Sequence, residues 1–422
     1  MRARSALAAW AIALTGFGAL PGCALFRAAD DIESVGQMAV IAGVLETPQA
    51  SRNPLIVGLV RDERGIKSLV SYYVRRGGGP FRFQMPPGSY HVFAFEDANE
   101  NLRYDQGEPV YYAGARQAPI AAAAGTGMDL GRLGLTMAAP DGLDELRAVA
   151  QRDIASSAEL QRVHRGTPAS LADPRFSQEV ATEGMWAPYA AFKKYGAGTY
   201  FLEPYDPARV PVVFVHGVNG SAREFTAIID SLDRSRFQPW VFQYPSGLRL
   251  ETVSQFLFEN LEELQLRHQL RRYAIVAHSM GGLVARNTVN KLVRRGGEQA
   301  IALYVTIATP WDGNEEAAMG TRLAPVALPV WFDLSPNSPF LEDLFRTPLP
   351  DSLPYYLFYG YRGGSGTDGA VTLLSLLKLP AQEAARRVIA LPEDHNSILG
   401  NAELIVRLNA LLAKHAAPPR RR

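Results

Sequence analysis

The stretch Ile275-Val276-Ala277-His278-Ser279-Met280-Gly281-Gly282-Leu283-Val284-Ala285-Arg286 passes from an apolar strand through a sharp turn into a helix. Few folds accommodate that succession. Small residues on either side of Ser279 let strand and helix approach closely. The serine hydroxyl then sits at a helix N-terminus, where peptide N–H groups and the helix dipole favour negative charge. Ala277 stands where the G-x-S-x-G pattern has its first glycine, and Gly281 keeps the second. One added methyl is expected to be tolerated there. Apolar runs at 212–215, 240–243, 274–277, 302–307, 356–359 and 388–391 alternate with helical stretches, which predicts a mostly parallel sheet covered on both faces. In isolation Ser279 reads as a residue capping a buried helix. With that strand before it and that helix after it, it is a candidate nucleophile.

The A-H-S-M-G-G elbow resembles that of lipases in the α/β-hydrolase superfamily, over 210–415, roughly half the chain. Three further segments are similar to landmarks of that family and occur in the same order. Val213-Phe214-Val215-His216-Gly217-Val218-Asn219-Gly220 resembles its first strand and loop, Thr306-Ile307-Ala308-Thr309-Pro310-Trp311 the segment after a later strand, and Thr367-Asp368-Gly369-Ala370-Val371 its acid loop. The resemblance implies an α/β fold, a Ser-His-Asp triad, an ester substrate cleaved through an acyl-enzyme, and no cofactor. The same machinery serves acyltransferases and thioesterases, and a non-catalytic surface binding protein on the same scaffold is the alternative from another class.

A serine hydroxyl is a poor nucleophile until a base takes its proton. Of seven histidines, His91, His164, His268 and His415 lie in segments remote from the elbow. His278 adjoins Ser279 and points to the opposite side of an extended backbone, so it is expected to order the turn. His216 belongs to the His-Gly loop, where a structural role is usual. His395, between the 388–391 strand and a C-terminal helix, remains; its rival reading is a helix cap. The family's chain order of serine, acid, histidine implies Asp368, with Asp312 and the adjacent Asp394 as competitors and a simple Asp-Gly turn as the bland reading. The topology implies an oxyanion hole from the Met280 and Val218 amides. The proline-rich, apolar segment 311–350 is long for a loop and reads either as a substrate-facing lid or as a packed insertion.

Before this region, short apolar runs at 54–60, 68–74, 81–84 and 90–96, broken by Gly77-Gly78-Gly79-Pro80 and Pro86-Pro87-Gly88, predict a small all-β sandwich with hairpin turns. The expected organisation is a signal at 1–23, a sandwich at 24–138, a connector with helical stretches such as 143–163 at 139–205, a catalytic domain at 206–416 and a basic tail at 417–422. A basic start, an apolar run of about 15 residues and Leu20-Pro21-Gly22-Cys23 read as an export signal, shorter than the roughly 20 residues of a span. The sole cysteine resembles the lipidated residue of bacterial lipoproteins. With Ala24 after it, the resemblance implies export and anchoring to the outer membrane. The 43 basic and 42 acidic residues nearly cancel, which argues against a nucleic-acid partner. Asp97, Asn99, Asn101, Asp105 and Glu108 follow a calcium-loop spacing, although Leu102 stands where such loops want glycine. The stretch also resembles the hydrogen-bonded D-x-N-x-N hairpin of transthyretin-like sandwiches, so a metal site and a structural turn both remain open.

Overall fold

A computed structural model describes residues 22–47, 53–112, 119–137 and 162–416. Residues 1–21 of the expected export signal at 1–23, residues 143–161 of the helical stretch expected at 143–163 and the tail at 417–422 lie outside these residues. Cys23 falls in the first turn of the helix Gly22–Gly36, and its side chain is likewise outside the described set.

The N-terminal domain comprises β1 (Ala39–Glu46), β2 (Pro54–Glu63), β3 (Ile66–Arg76), β4 (Gly79–Met85), β5 (Gly88–Glu96), β6 (Val110–Tyr112), β7 (Ile120–Ala122) and β8 (Gly127–Gly134). One sheet has the order β4-β1-β8 and the other β3-β2-β5-β6, with β7 on β5. The ladders are antiparallel except β1 with β8, which is parallel. Both glycine-proline stretches expected to form hairpins instead carry the chain between sheets, because β3 and β4, and β4 and β5, belong to different sheets. The tight hairpin joins β2 to β3, with Glu63 opposite Ile66 and positive φ at both Arg64 and Gly65. That two-residue geometry matches the right-handed strand twist.

Burial explains the two kinds of strand sequence in this domain. In β1 and β4 buried residues alternate with less buried ones, since one face meets the sandwich core and the other solvent. β2 is buried residue after residue from Pro54 to Val60. Its Leu55, Val57 and Leu59 enter the core between the sheets. Ile56 and Val60 join Phe93, Phe95 and Tyr72 around Leu266, which comes from the helix Leu250–His268 of the second domain. At that junction Arg165 Nε lies 2.6 Å from Glu263 Oε2, and the Tyr72 hydroxyl donates to Glu263 Oε1 at 2.9 Å. Glu263 and Arg165 are almost fully removed from water. Glu263→Gln would leave the guanidinium buried without its counter-charge, a change expected to cost about 3–5 kcal/mol. Chemical denaturation checks this: an unfolding midpoint equal to wild type would show that the pair contributes nothing to the junction.

The second domain is built on eight strands in the order β16-β15-β14-β13-β11-β12-β10-β9. These are β9 (Val163–Pro168), β10 (Ala197–Phe201), β11 (Val210–Val215), β12 (Phe237–Gln243), β13 (Tyr273–His278), β14 (Ile301–Ile307), β15 (Tyr355–Gly360) and β16 (Arg387–Leu391). Strands β11 to β16 are mutually parallel, as the alternation of strands and helices predicts. β10 runs antiparallel to β12, with β9 parallel to β10. Successive residues of each central strand feed opposite cores: Val213, Val215, Ile275 and Ala277 on one face, Val212, Phe214, Ala274 and Val276 on the other. Helices cover both faces, which is why these strands read as unbroken apolar runs. The segment expected to be a mere connector supplies β9, β10 and the helices Gln178–Trp186 and Pro188–Tyr195. Asp31 of the N-terminal helix accepts the Tyr189 and Ala190 amides at 2.9 and 2.7 Å, capping the second of these helices.

Candidate active site

β13 ends at His278, the helix Met280–Arg294 begins one residue later, and Ser279 is the whole connection. It has φ 52° and ψ −132°, a conformation that costs an L-residue of order 1–3 kcal/mol. Close packing holds it there. A Cβ on Gly281 would lie 2.3 Å from the Val215 carbonyl oxygen, and one on Gly217 would lie 2.8 Å from Ser279 Cβ. Glycine is therefore required at both places by space alone. Ala277 is fully buried in the core, so the alanine at the first position of the motif is accommodated.

The Ser279 hydroxyl meets His395 Nε2 at 2.8 Å, and His395 Nδ1 meets Asp368 Oδ2 at 2.6 Å. A carboxylate oxygen only accepts, so Nδ1 carries the proton and Nε2 is left to accept from Ser279. Asp368 is completely buried. Its Oδ1 accepts the Ala370 and Val371 amides at 3.0 and 2.8 Å, and its backbone carbonyl accepts the His395 amide at 2.9 Å. These bonds fix the carboxylate and the histidine loop together. Both competitors are engaged elsewhere: Asp312 pairs with Lys378, and Asp394 accepts the Asn396 and Ser397 amides at the turn that follows it.

The remaining histidines are accounted for. His91 faces Asp62, His164 faces Thr167, His268 lies against Tyr205 and His415 meets the Tyr356 hydroxyl. His216 donates from Nδ1 to the Gly217 carbonyl and accepts the Tyr244 amide on Nε2. It is therefore neutral, and burial pushes its pKa below the ordinary value. His278 differs. Its Nδ1 faces Glu224 Oε1 at 3.0 Å and its Nε2 faces the His395 carbonyl at 2.9 Å, and sequence reasoning had no signal for either contact. In the loop after β11, Glu224 accepts the Gly217 amide, Ser246 accepts that of Asn219, and the Gly217 carbonyl accepts that of Gly220. Among the described residues, the Val218 amide between them has no acceptor. The Met280 amide opens its helix, where no preceding turn can accept it.

This is an α/β-hydrolase domain. Residues 212–418 match the alpha/beta hydrolase family, and the parallel sheet with its strand-turn-helix serine carries the fold. No curated protein matches the chain significantly. Among solved structures, the mature lipase BlEst2 of Bacillus licheniformis is similar at 21% identity over 50% of this chain and 97% of its own, with a TM-score of 0.39. A carboxylesterase structure from the thaumarchaeon Nitrososphaera gargenis shares 14% identity over 52% of this chain and 96% of its own, TM-score 0.35. Aspergillus fumigatus lipase B shares 12% over 52% of this chain and 57% of its own, TM-score 0.41. At these scores none of them bears on the substrate of this hydrolase domain.

Segment 311–350 of the hydrolase domain forms the helices Glu315–Leu323, Pro329–Leu334 and Pro339–Asp343. Leu328, Val330, Trp331, Leu334 and Leu341 are buried in the same core as Met280, with Trp331 edge-on to Trp186 at 5.8 Å. Asp333 accepts the Leu250 amide and pairs with Arg249, both at 2.7 Å. These contacts pack the segment onto the hydrolase domain. It still presents Met319, Leu323 and Phe332 to solvent. In the N-terminal domain the acidic loop is a hydrogen-bonded turn. Asp97 accepts the Asn101 and Leu102 amides, Glu108 accepts those of Ala98 and Asp105, and Asp105 receives the side chains of Asn99 and Asn101. Leu102 adopts the left-handed φ of 60° where glycine was expected. Among the described residues no His, Cys, Asp and Glu side chains gather as a metal site.

Proposed function

We propose that this chain is an exported serine hydrolase that cleaves carboxylic esters through an acyl-enzyme. The observation that carries the reading is the continuous hydrogen-bonded chain from Ser279 through His395 to buried Asp368. As His395 Nε2 takes the proton, Ser279 Oγ attacks the ester carbonyl; the imidazolium then protonates the departing alcohol. Asp368 holds the tautomer and stabilises the imidazolium. The Val218 and Met280 amides supply the oxyanion donors, each worth about 3–4 kcal/mol of barrier in a dry site. Water activated by His395 releases the acid, and no cofactor enters the cycle. The exposed apolar side chains of the insertion support lipid-like esters over sugars or peptides. Cys23 is the proposed lipid attachment, tethering the enzyme to the outer membrane.

A fluorophosphonate probe tests the chemistry, and p-nitrophenyl esters of increasing acyl length test the substrate class. Covalent labelling of the intact protein, with turnover rising towards longer acyl chains, is the expected result. An unlabelled protein that hydrolyses none of these esters would contradict the reading.

A further inference from the structure

Glu224 and His278 lie outside the Ser279–His395–Asp368 chain yet touch both loops that the chemistry uses. Glu224 comes from the short turn Ala222–Phe225 that follows the β11 loop. Its Oε1 accepts the Gly217 amide at 3.2 Å, one residue before the proposed oxyanion donor Val218, and faces His278 Nδ1 at 3.0 Å. On the other side of the ring, His278 Nε2 lies 2.9 Å from the carbonyl oxygen of His395 itself. Glu224 and His278 therefore connect the oxyanion loop to the base loop through the residue immediately before the nucleophile.

The partners decide the charge. A carboxylate oxygen and a peptide carbonyl are both acceptors, so satisfying both requires protons on both ring nitrogens. His216, one strand away, has one acceptor and one donor as partners and is neutral. The titratable groups around His278 are Glu224, Asp368, His216 and His395, whose ring centroid is 5.1 Å away. Burial works against a charge on His278, but the charge and hydrogen bond of Glu224, together with the His395 carbonyl and the charge of Asp368, more than offset it and raise the pKa above the ordinary value.

We propose that Glu224 and His278 form a standing carboxylate–imidazolium pair that positions the His395 backbone and the Val218 loop for catalysis. The proposal rests on the serine-hydrolase reading above, and both are positioning residues, since neither touches the reacting atoms. Because the pair is neutral as a whole, it adds no net charge opposing the second imidazolium that forms on His395 during turnover. Without the carboxylate, His278 either sheds a proton and one hydrogen bond or remains an uncompensated cation beside His395. Each outcome slows the proton transfer.

Glu224→Gln keeps the shape and an acceptor for Gly217 while removing the charge. With p-nitrophenyl butyrate, and rates expressed per fluorophosphonate-titrated site, kcat is expected to fall about 10- to 100-fold, the cost of a misplaced catalytic group. KM should stay within about twofold, whereas a purely structural role would leave the rate per titrated site unchanged. A second measurement needs no variant: nitrogen-15 NMR of labelled histidine in the intact protein should show His278 protonated on both nitrogens at pH 7. Unchanged kcat in Glu224→Gln, or a neutral His278 in wild type, overturns the proposal. If the wild-type chain neither labels nor hydrolyses esters, the functional reading fails by itself, and the NMR result still decides the state of the pair.

Discussion

Replacing Ser279 by alanine is expected to lower kcat for ester hydrolysis by about 10⁶, the scale on which removing the nucleophile of a serine triad costs as much as removing the whole triad. The substitution deletes only the oxygen that bonds His395 Nε2. Alanine and serine carry the same Cβ and are equally strained at φ 52°, so the elbow and its packing should survive. Stopped assays with p-nitrophenyl esters, alongside a thermal melt that matches wild type, make the comparison. A folded variant retaining even a hundredth of the activity would mean that another group attacks the ester, and the proposed chemistry would have to be abandoned.

Asp368→Asn should cost about 10⁴ in kcat, for a reason that concerns a proton rather than a shape. Asparagine can still accept the Ala370 and Val371 amides that now end on Oδ1. Its amide nitrogen then faces His395 Nδ1 as a donor, which forces the proton onto Nε2, the atom that must receive one from Ser279. The rate of fluorophosphonate labelling should drop with kcat, since both need the same activated oxygen. An effect below tenfold would point to a different acid. Asp312, held by Lys378, and Asp394, engaged by its own turn, are placed poorly for that task.

The hydrolase half was legible because its signals are local and strong. Buried parallel strands leave apolar runs, and a serine that must turn within one residue leaves small neighbours. The chain order of Ser279, Asp368 and His395 was readable through family resemblance. Their contact was not, because nothing in a sequence measures the distance across 116 positions between Ser279 and His395. β9 and β10 were missed because Val-His-Arg-Gly-Thr-Pro and Ala-Gly-Thr-Tyr-Phe are short, glycine-containing and lack alternation. Both glycine-proline stretches of the sandwich were misread as hairpins, since a turn signal marks a change of direction without saying which sheet comes next. The real hairpin carries Arg64-Gly65 rather than the usual asparagine or aspartate before glycine. Glu224 left no trace at all: an acidic residue in the first turn of a short helix is common for electrostatic reasons unrelated to a neighbouring loop.

The place of β9 and β10 at the edge of the sheet beside β12 bears on where the catalytic half can be separated from the rest. β12 is hydrogen-bonded along its outer side to β10 from Phe201 to Gly198. A cut at 206 would strip that cover and present water with a raw row of amides and carbonyls flanked by Trp240 and Phe242, the kind of border on which chains stack against one another. The smallest self-sufficient piece of this enzyme therefore starts upstream of residue 163, and the tract that looked like spacer is the selvedge that keeps the fabric from fraying.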